Sequence, residues 1–214
     1  ENSHLPLIQK VVSTGKPIIV STGLSTLSQI NETVSMIRQV GCENFALLKC
    51  TSSYPSNPKN SNVITIPHMR DMFNCEVGLS DHTLGIGAAL SAVSHGATII
   101  EKHFTLNRSD GGVDSAFSLT PDELKSLVDE SERAWQSIGK VSYGPLKSEI
   151  GSLIFRRSIY ISKDMKRGEK FTPENIRIVR PGHGLEPKYY DVVLGKKINQ
   201  DAQKGTAFKW SLIS

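Results

Sequence analysis

The chain has 214 residues and a net charge of +4, with 38% hydrophobic and 21% charged residues, a globular composition that excludes a disordered, collagenous or disulfide-stapled protein and suffices for one large or two small domains. No window approaches the ~20 consecutive apolar residues of a membrane span, and the first residues lack the basic-then-apolar layout of a signal peptide, so no membrane association and a cytoplasmic location are expected. Cys42, Cys50 and Cys75 are odd in number and lack metal-type spacing, as expected in a reducing compartment.

The chain opens at Glu1, inside what reads as a structural unit. A helix over Leu5–Val12 precedes the buried strand Pro17–Val20, which ends in Ser21-Thr22-Gly23. Helical spacing runs from Thr26 to Val40 and stops at Gly41. Phe45–Cys50 is the second strand, ending in Thr51-Ser52-Ser53-Tyr54-Pro55. A short helix near Ile66–Phe73 leads to a third strand, Glu76–Leu79, ending in Ser80-Asp81-His82-Thr83. A helix near Ile86–Ser94 leads to a fourth, Thr98–Lys102, ending in His103. The helix Pro121–Ile138 begins at the cap Thr120-Pro121-Asp122-Glu123.

Four successive strand-helix units predict parallel strands with right-handed crossovers. About 140 residues cannot close an eight-stranded barrel, which needs about 250. An open doubly wound sheet fits the length but leaves the first helix without a partner. The expected fold is therefore α/β: the C-terminal half of a (β/α)8 TIM barrel in residues 1–143, a linker at 144–152, and a small β-rich domain in residues 153–214. The charge changes sign accordingly, with 12 Lys/Arg against 15 Asp/Glu in residues 1–150 and 13 against 6 in residues 151–214. In the tail, Arg157–Ile161, Lys170–Thr172 and Ile176–Arg180 read as short strands. This basic tail lacks the interleaved aromatics of a nucleic-acid platform, so no nucleic-acid partner is expected, and a positive lid over an anionic small substrate explains the sign equally well.

Polar residues cluster just past the strand ends, where parallel α/β folds bind ligands. His82 and His103 lie 21 residues apart, one βαβ step, which can place them on neighbouring strands about 4.8 Å apart. There they can share a divalent metal, with Asp81, Glu101 and Asp114 as available oxygen donors, a set suited to Mn²⁺, Zn²⁺ or Fe²⁺. Alternatively each imidazole bonds a backbone carbonyl at its strand end. His4, His68 and His95 lack such context. Ser21, Thr22, Ser52, Ser53 and Ser80 form a hydroxyl rim able to hold a phosphate or carboxylate, or to act as strand-end caps. Tyr54 either faces a substrate or is packed. Asp114, after the Gly111-Gly112 turn, is either solvated or an edge partner of His103. Arg180, before Pro181-Gly182, offers a guanidinium to a carboxylate or amide carbonyl, or forms a surface ion pair. Cys50 reads as a buried strand residue.

Ser21-Thr22-Gly23, Cys50-Thr51-Ser52-Ser53-Tyr54-Pro55, Gly78-Leu79-Ser80-Asp81-His82-Thr83, Glu101-Lys102-His103-Phe104-Thr105 and Arg180-Pro181-Gly182 occur in the order and spacing of the sialic acid synthase (NeuB-like) family, which the chain resembles along essentially its whole length. The resemblance implies a (β/α)8 barrel followed by an antifreeze-like (SAF) domain. It implies condensation of phosphoenolpyruvate with an acetamido sugar, with a divalent metal, Mn²⁺ foremost. Residue by residue, it makes His82 and His103 metal ligands and, with Asp114, catalytic, places Ser21, Ser52 and Ser80 on phosphoenolpyruvate, and places Tyr54 and Asp114 on the sugar. It makes Arg180 a residue that reaches a partner subunit's site in a domain-swapped homodimer. Ser52 stands where the sialic acid branch usually has Asn, and Gly112-Val113-Asp114 where it has Gly-Pro-Asp; the combination Lys49-Cys50-Thr51-Ser52-Ser53-Tyr54-Pro55 with Gly111-Gly112-Val113-Asp114-Ser115-Ala116-Phe117-Ser118-Leu119 resembles instead the pseudaminic acid branch. That branch uses 2,4-diacetamido-2,4,6-trideoxy-L-altrose.

A member making N-acetylneuraminic or legionaminic acid is the nearest alternative. A metal-dependent barrel aldolase or hydrolase fits the histidines but not the tail, and a carbohydrate or ice binder would use the tail alone. The family's early strands, with an acid at the reacting centre and phosphate-binding lysines, would precede Glu1, so the chain alone is expected to be inactive.

Overall fold

A computed structural model describes residues 2–214. The chain divides into two compact units, one ending at Lys140 and the other Val141–Ser214.

In the first unit the elements run α1 (Leu5–Val12), β1 (Ile18–Ser21), α2 (Leu27–Gln39), β2 (Phe45–Cys50), α3 (Thr65–Phe73), β3 (Glu76–Asp81), α4 (Gly87–Ser94), β4 (Ile100–Lys102) and α5 (Pro121–Ile138). The sheet is wholly parallel, in the order β1-β2-β3-β4. A doubly wound sheet reverses its strand order at a switch point, whereas this order follows the chain without reversal, as in one half of a (β/α)8 barrel.

Strand side chains alternate between the two faces of the sheet. Ile18, Val20, Phe45, Leu47, Val77 and Leu79 face the helices and form the core with Val34, Ile37, Ile66, Met69, Phe73 and Ala92. Ser21, Cys50 and Ser80 have the opposite parity, and they line a cavity with Ile19. Gly78 has the same parity, and a Cβ there would strike the carbonyl oxygen of Ile99 and the Leu48 side chain. Glycine thus lets the chain entering β4 close on β3. Helix ends follow local chemistry. Thr26 and Gln29 exchange capping hydrogen bonds at the start of α2, and α3 ends on Asn74 in the left-handed region. At α5 the Glu123 carboxylate accepts from the Thr120 backbone N–H at 2.8 Å and from Arg108 at 2.6 Å. Those two bonds, the backbone one foremost, hold its carboxyl below the usual glutamate range.

In the second unit, β5 (Ser158–Ile161) pairs antiparallel with β6 (Ile176–Val179). Ile159, Ile161, Phe171, Ile176, Val193, Ile198 and Phe208 form its core, with the Phe171 and Phe208 rings 4.7 Å apart. Lys147–Phe155 forms 3-10 turns that overlap the segment expected as a linker. The expected strand Lys170–Thr172 is absent. Lys170 makes a single bridge to Lys197, and the chain then turns through Pro173, with the Thr172 N–H donating to the Asn175 side chain and the Ile176 N–H to the Thr172 carbonyl. A proline at this point removes the donor that a continuing ladder needs. Among the described residues no helix is long and apolar enough to cross a membrane.

Gly78→Ala is expected to lower unfolding stability by about 2 kcal/mol through backbone overpacking; an unchanged urea midpoint would overturn that reading. Glu123 adds stability above its ordinary pKa that is lost as the pH falls through its lower folded value. Glu123→Gln keeps a capping side chain but removes the charge, so its stability should vary less steeply with pH below about 4.3 than that of the wild-type chain. Acid titrations of the two, followed by circular dichroism, provide the check.

Candidate active site

The register of β3 and β4 builds the site. Ser80 stands opposite Glu101 and Asp81 opposite Lys102, so the next residues, His82 and His103, emerge side by side on the face of Ser80 and Glu101. Their ring centroids are 5.1 Å apart with planes at 80°. His82 is buried, and its Nδ1 lies 2.9 Å from the Thr51 carbonyl oxygen. His103 is partly exposed, with Nδ1 3.4 Å from the Asp114 carboxylate, longer than a direct hydrogen bond. A backbone carbonyl only accepts, so the contact with Thr51 puts a proton on Nδ1 of His82, while the Asp114 carboxylate faces the same nitrogen of His103 from further away. A metal-ligating histidine is oriented by an acceptor in this way. Two imidazoles each bonding one ion at about 2.1 Å have centroids roughly 5 Å apart, which is the spacing of this pair.

The further oxygen donors do not join them. Among the described residues no group of three or more His, Cys, Asp or Glu converges as a metal cluster. Asp81, one of the expected donors, lies on the opposite face by strand alternation and bonds Lys102 at 2.9 Å. Glu101 accepts from the Ser80 hydroxyl at 2.5 Å. Asp114 stands beside His103 as its edge partner.

The cavity beside the pair, about 550 Å³, is lined by Ser21, Ser52, Ser80, Tyr54 and Glu101 as well as both histidines. Gly23 lets the loop after β1 close on this rim, since a Cβ there would meet Ser52 Oγ and come within 3.0 Å of Cys50 Sγ. Tyr54 is half-exposed, its ring 4.2 Å from His82 and 5.8 Å from His103. Lys49 braces the loop beneath, with Nζ 3.0 Å from the Cys50 carbonyl and 3.3 Å from Thr51 Oγ1. Burial pushes its ammonium pKa down.

Phe117 is a site residue that sequence reasoning missed. It is buried, with its ring 5.0 Å from His103 and 6.1 Å from Tyr54. The sequence signal was an aromatic three residues past Asp114. Lys102 was also missed, although its 21-residue spacing from Asp81 repeats that of the histidines.

Arg180 lies in the second unit, just past β6. It lines a cleft of about 840 Å³ together with Lys163, Arg177 and Lys204. The buried Ser158 shapes its loop by donating to the Pro181 carbonyl at 2.8 Å and accepting from the Gly184 N–H at 2.9 Å.

A parallel half-barrel that gathers imidazoles, hydroxyls and an aromatic ring past its strand ends has the architecture of a (β/α)8 ligand site. Residues 1–143 match the NeuB family and residues 156–214 the SAF domain: the chain belongs to the NeuB family and carries a SAF domain after its half-barrel. It is 40% identical to a pseudaminic acid synthase of Campylobacter jejuni over 94% of this chain and 59% of that one. It is 37% identical to an N,N'-diacetyllegionaminic acid synthase of the same organism, over 92% of this chain and 60% of the relative. The crystal structure of the spore coat polysaccharide biosynthesis protein SpsE of Bacillus subtilis is similar over all of this chain and 65% of that one, at 32% identity and a TM-score of 0.62. The chain thus spans about three fifths of the length of these curated relatives.

In the metal-free protein, long-range proton–nitrogen NMR should find His82 with its proton on Nδ1; an Nε2–H tautomer there would overturn the hydrogen bond to the Thr51 carbonyl.

Proposed function

We propose that the chain forms part of a metal-dependent synthase that condenses phosphoenolpyruvate with 2,4-diacetamido-2,4,6-trideoxy-L-altrose and water to give a nine-carbon nonulosonic acid of the pseudaminic type and inorganic phosphate. The observation that carries this reading is the histidine pair, its rings 5.1 Å apart with an acceptor on the Nδ1 side of each, lining a cavity rimmed with hydroxyls. Membership of the NeuB family and the 40% identity to a named pseudaminic acid synthase supply the reaction class.

A divalent metal, Mn²⁺ foremost, on Nε2 of His82 and His103 would supply Lewis acidity toward the aldehyde oxygen of the open-chain sugar. Ser21 and Ser52 hold the phosphoenolpyruvate anion through their hydroxyls. Ser80 joins them by turning its hydroxyl away from Glu101, which it bonds in the free chain. Tyr54 presents a half-exposed ring to the sugar. Asp114 orients His103 through one carboxylate oxygen and accepts a sugar hydroxyl with the other. Arg180 is assigned to an amide carbonyl of the sugar in the site of a second copy, the domain-swapped homodimer that the family resemblance implies. These contacts fix the enol carbon against the aldehyde, which is where most of the rate gain of a two-substrate condensation lies. The 37% identity to a legionaminic acid synthase favours a second reading, the same reaction on that enzyme's sugar.

The full-length gene product, given phosphoenolpyruvate, Mn²⁺ and each candidate acetamido sugar, should release phosphate and yield a nonulosonic acid with the altrose derivative. Chelation should abolish turnover and added Mn²⁺ restore it. His82→Ala should lower kcat/KM at least ~10³-fold, a loss of about 4 kcal/mol of transition-state stabilisation. Full Mn²⁺ occupancy with an undiminished rate in His82→Ala would sink the proposal, and turnover of another sugar in place of the altrose derivative would assign the second reading.

A further inference from the structure

We infer that the Asp81–Lys102 ion pair is the positioning device of the histidine pair. The inference rests on the metal-site reading above, and assigns to it two residues that do not line the cavity.

Each charged residue immediately precedes a histidine, and the two stand in register on β3 and β4. Both side chains are 2% exposed and 2.9 Å apart. Every donor of the Lys102 ammonium has an acceptor: Asp81 Oδ2, the Thr83 carbonyl at 2.6 Å and the Gly85 carbonyl at 2.9 Å. The other Asp81 oxygen accepts from the Thr83 N–H at 2.9 Å. Residues 81, 83 and 85 are thus tied from the helix-facing side to β4. His82 lies inside that loop with its own carbonyl accepting from the Ser56 N–H at 2.9 Å, so its backbone is held from both flanks. On β4 the ammonium anchors residue 102, and the His103 carbonyl accepts from the Leu119 N–H at 2.8 Å. The pair therefore sets the spacing between the two imidazoles without touching them.

A mainly stabilising role is a weak explanation, because a buried ion pair often gains little over apolar groups of similar size, whereas specifying a register is its best-attested use. Supports behind metal ligands typically govern metal affinity by about 10–100-fold.

Asp81→Asn combined with Lys102→Met tests the inference, because it removes the pair without changing net charge and separates positioning from simple attraction of a cation. In the folded double variant, Mn²⁺ affinity measured with the metal alone should fall about 10–100-fold. His82 should pass from a single Nδ1–H form to mixed tautomers in nitrogen-resolved NMR. Unchanged affinity and unchanged tautomers would overturn the inference. If the double variant does not fold, Asp81→Glu, which keeps both charges and lengthens the link by one methylene, should shift the same two readouts in the same direction, and no shift there overturns it equally. Wild-type protein that binds no Mn²⁺ through His82 would refute the metal reading, while the tautomers still decide whether the pair positions the rings.

Discussion

The alignment of β3 with β4 is the constraint on which the site depends. Because strand side chains alternate, the pairing of residue 80 with 101 and of 81 with 102 fixes three consecutive layers. Ser80 and Glu101 face the cavity, Asp81 and Lys102 face the helices, and His82 and His103 face the cavity again. A slip of one residue would turn every one of these groups to the other face. It would also separate Asp81 from Lys102, which is costly for a buried charge left without its partner. The buried pair thus works against the misalignment that would separate the imidazoles.

Around that register, each histidine is held at several points. His82 has its carbonyl on Ser56, its Nδ1 on Thr51 and its ring against Tyr54. His103 has its carbonyl on Leu119, its Nδ1 beside Asp114 and its ring against Phe117. The acceptors come from the loops after β2 and β4, and those loops are themselves tied down, the first by Lys49 and the second by Arg108, which donates to the Ser118 carbonyl and to Glu123. Arranging the rings in advance means that little conformational freedom remains to be lost when a ligand arrives.

Much of this was legible in the sequence wherever the determinant was local. The bounds of α1, β2 and α5 follow from apolar periodicity, the capping box at Thr120 and the proline at its first position. The histidine spacing is legible because parallel strands joined by a helix repeat at a nearly constant interval. The extension of β3 through Ser80 and Asp81 was not, since two polar residues after Leu79 read as the start of a loop and only the partners Glu101 and Lys102 keep them in the ladder. Asp81 illustrates the limit: a carboxylate beside a histidine has the right chemistry for a ligand, and only the alternation of faces removes it. Phe117 was equally hidden, because its contacts are with Tyr54 and His103, distant in sequence. Lys170–Thr172 erred in the opposite sense, with apolar Phe171 drawn into the core by a turn and not by a strand.

The two units differ in how they treat charge. In the first, Lys102 is buried and fully paired. In the second, Lys163, Arg177, Arg180 and Lys204 line one cleft in which Asp164 and Glu174 are the acidic residues, and the 13 basic against 6 acidic residues of positions 151–214 stand on a small apolar core. Like charges grouped on one surface repel one another and gain nothing for folding, but they raise the local concentration of anions. An arginine held by a loop pinned through Ser158 combines that long-range attraction with a fixed, planar set of donors. The half-barrel and the SAF domain thus differ in their physical resources, rigid placement of two imidazoles in the one and exposed positive charge in the other.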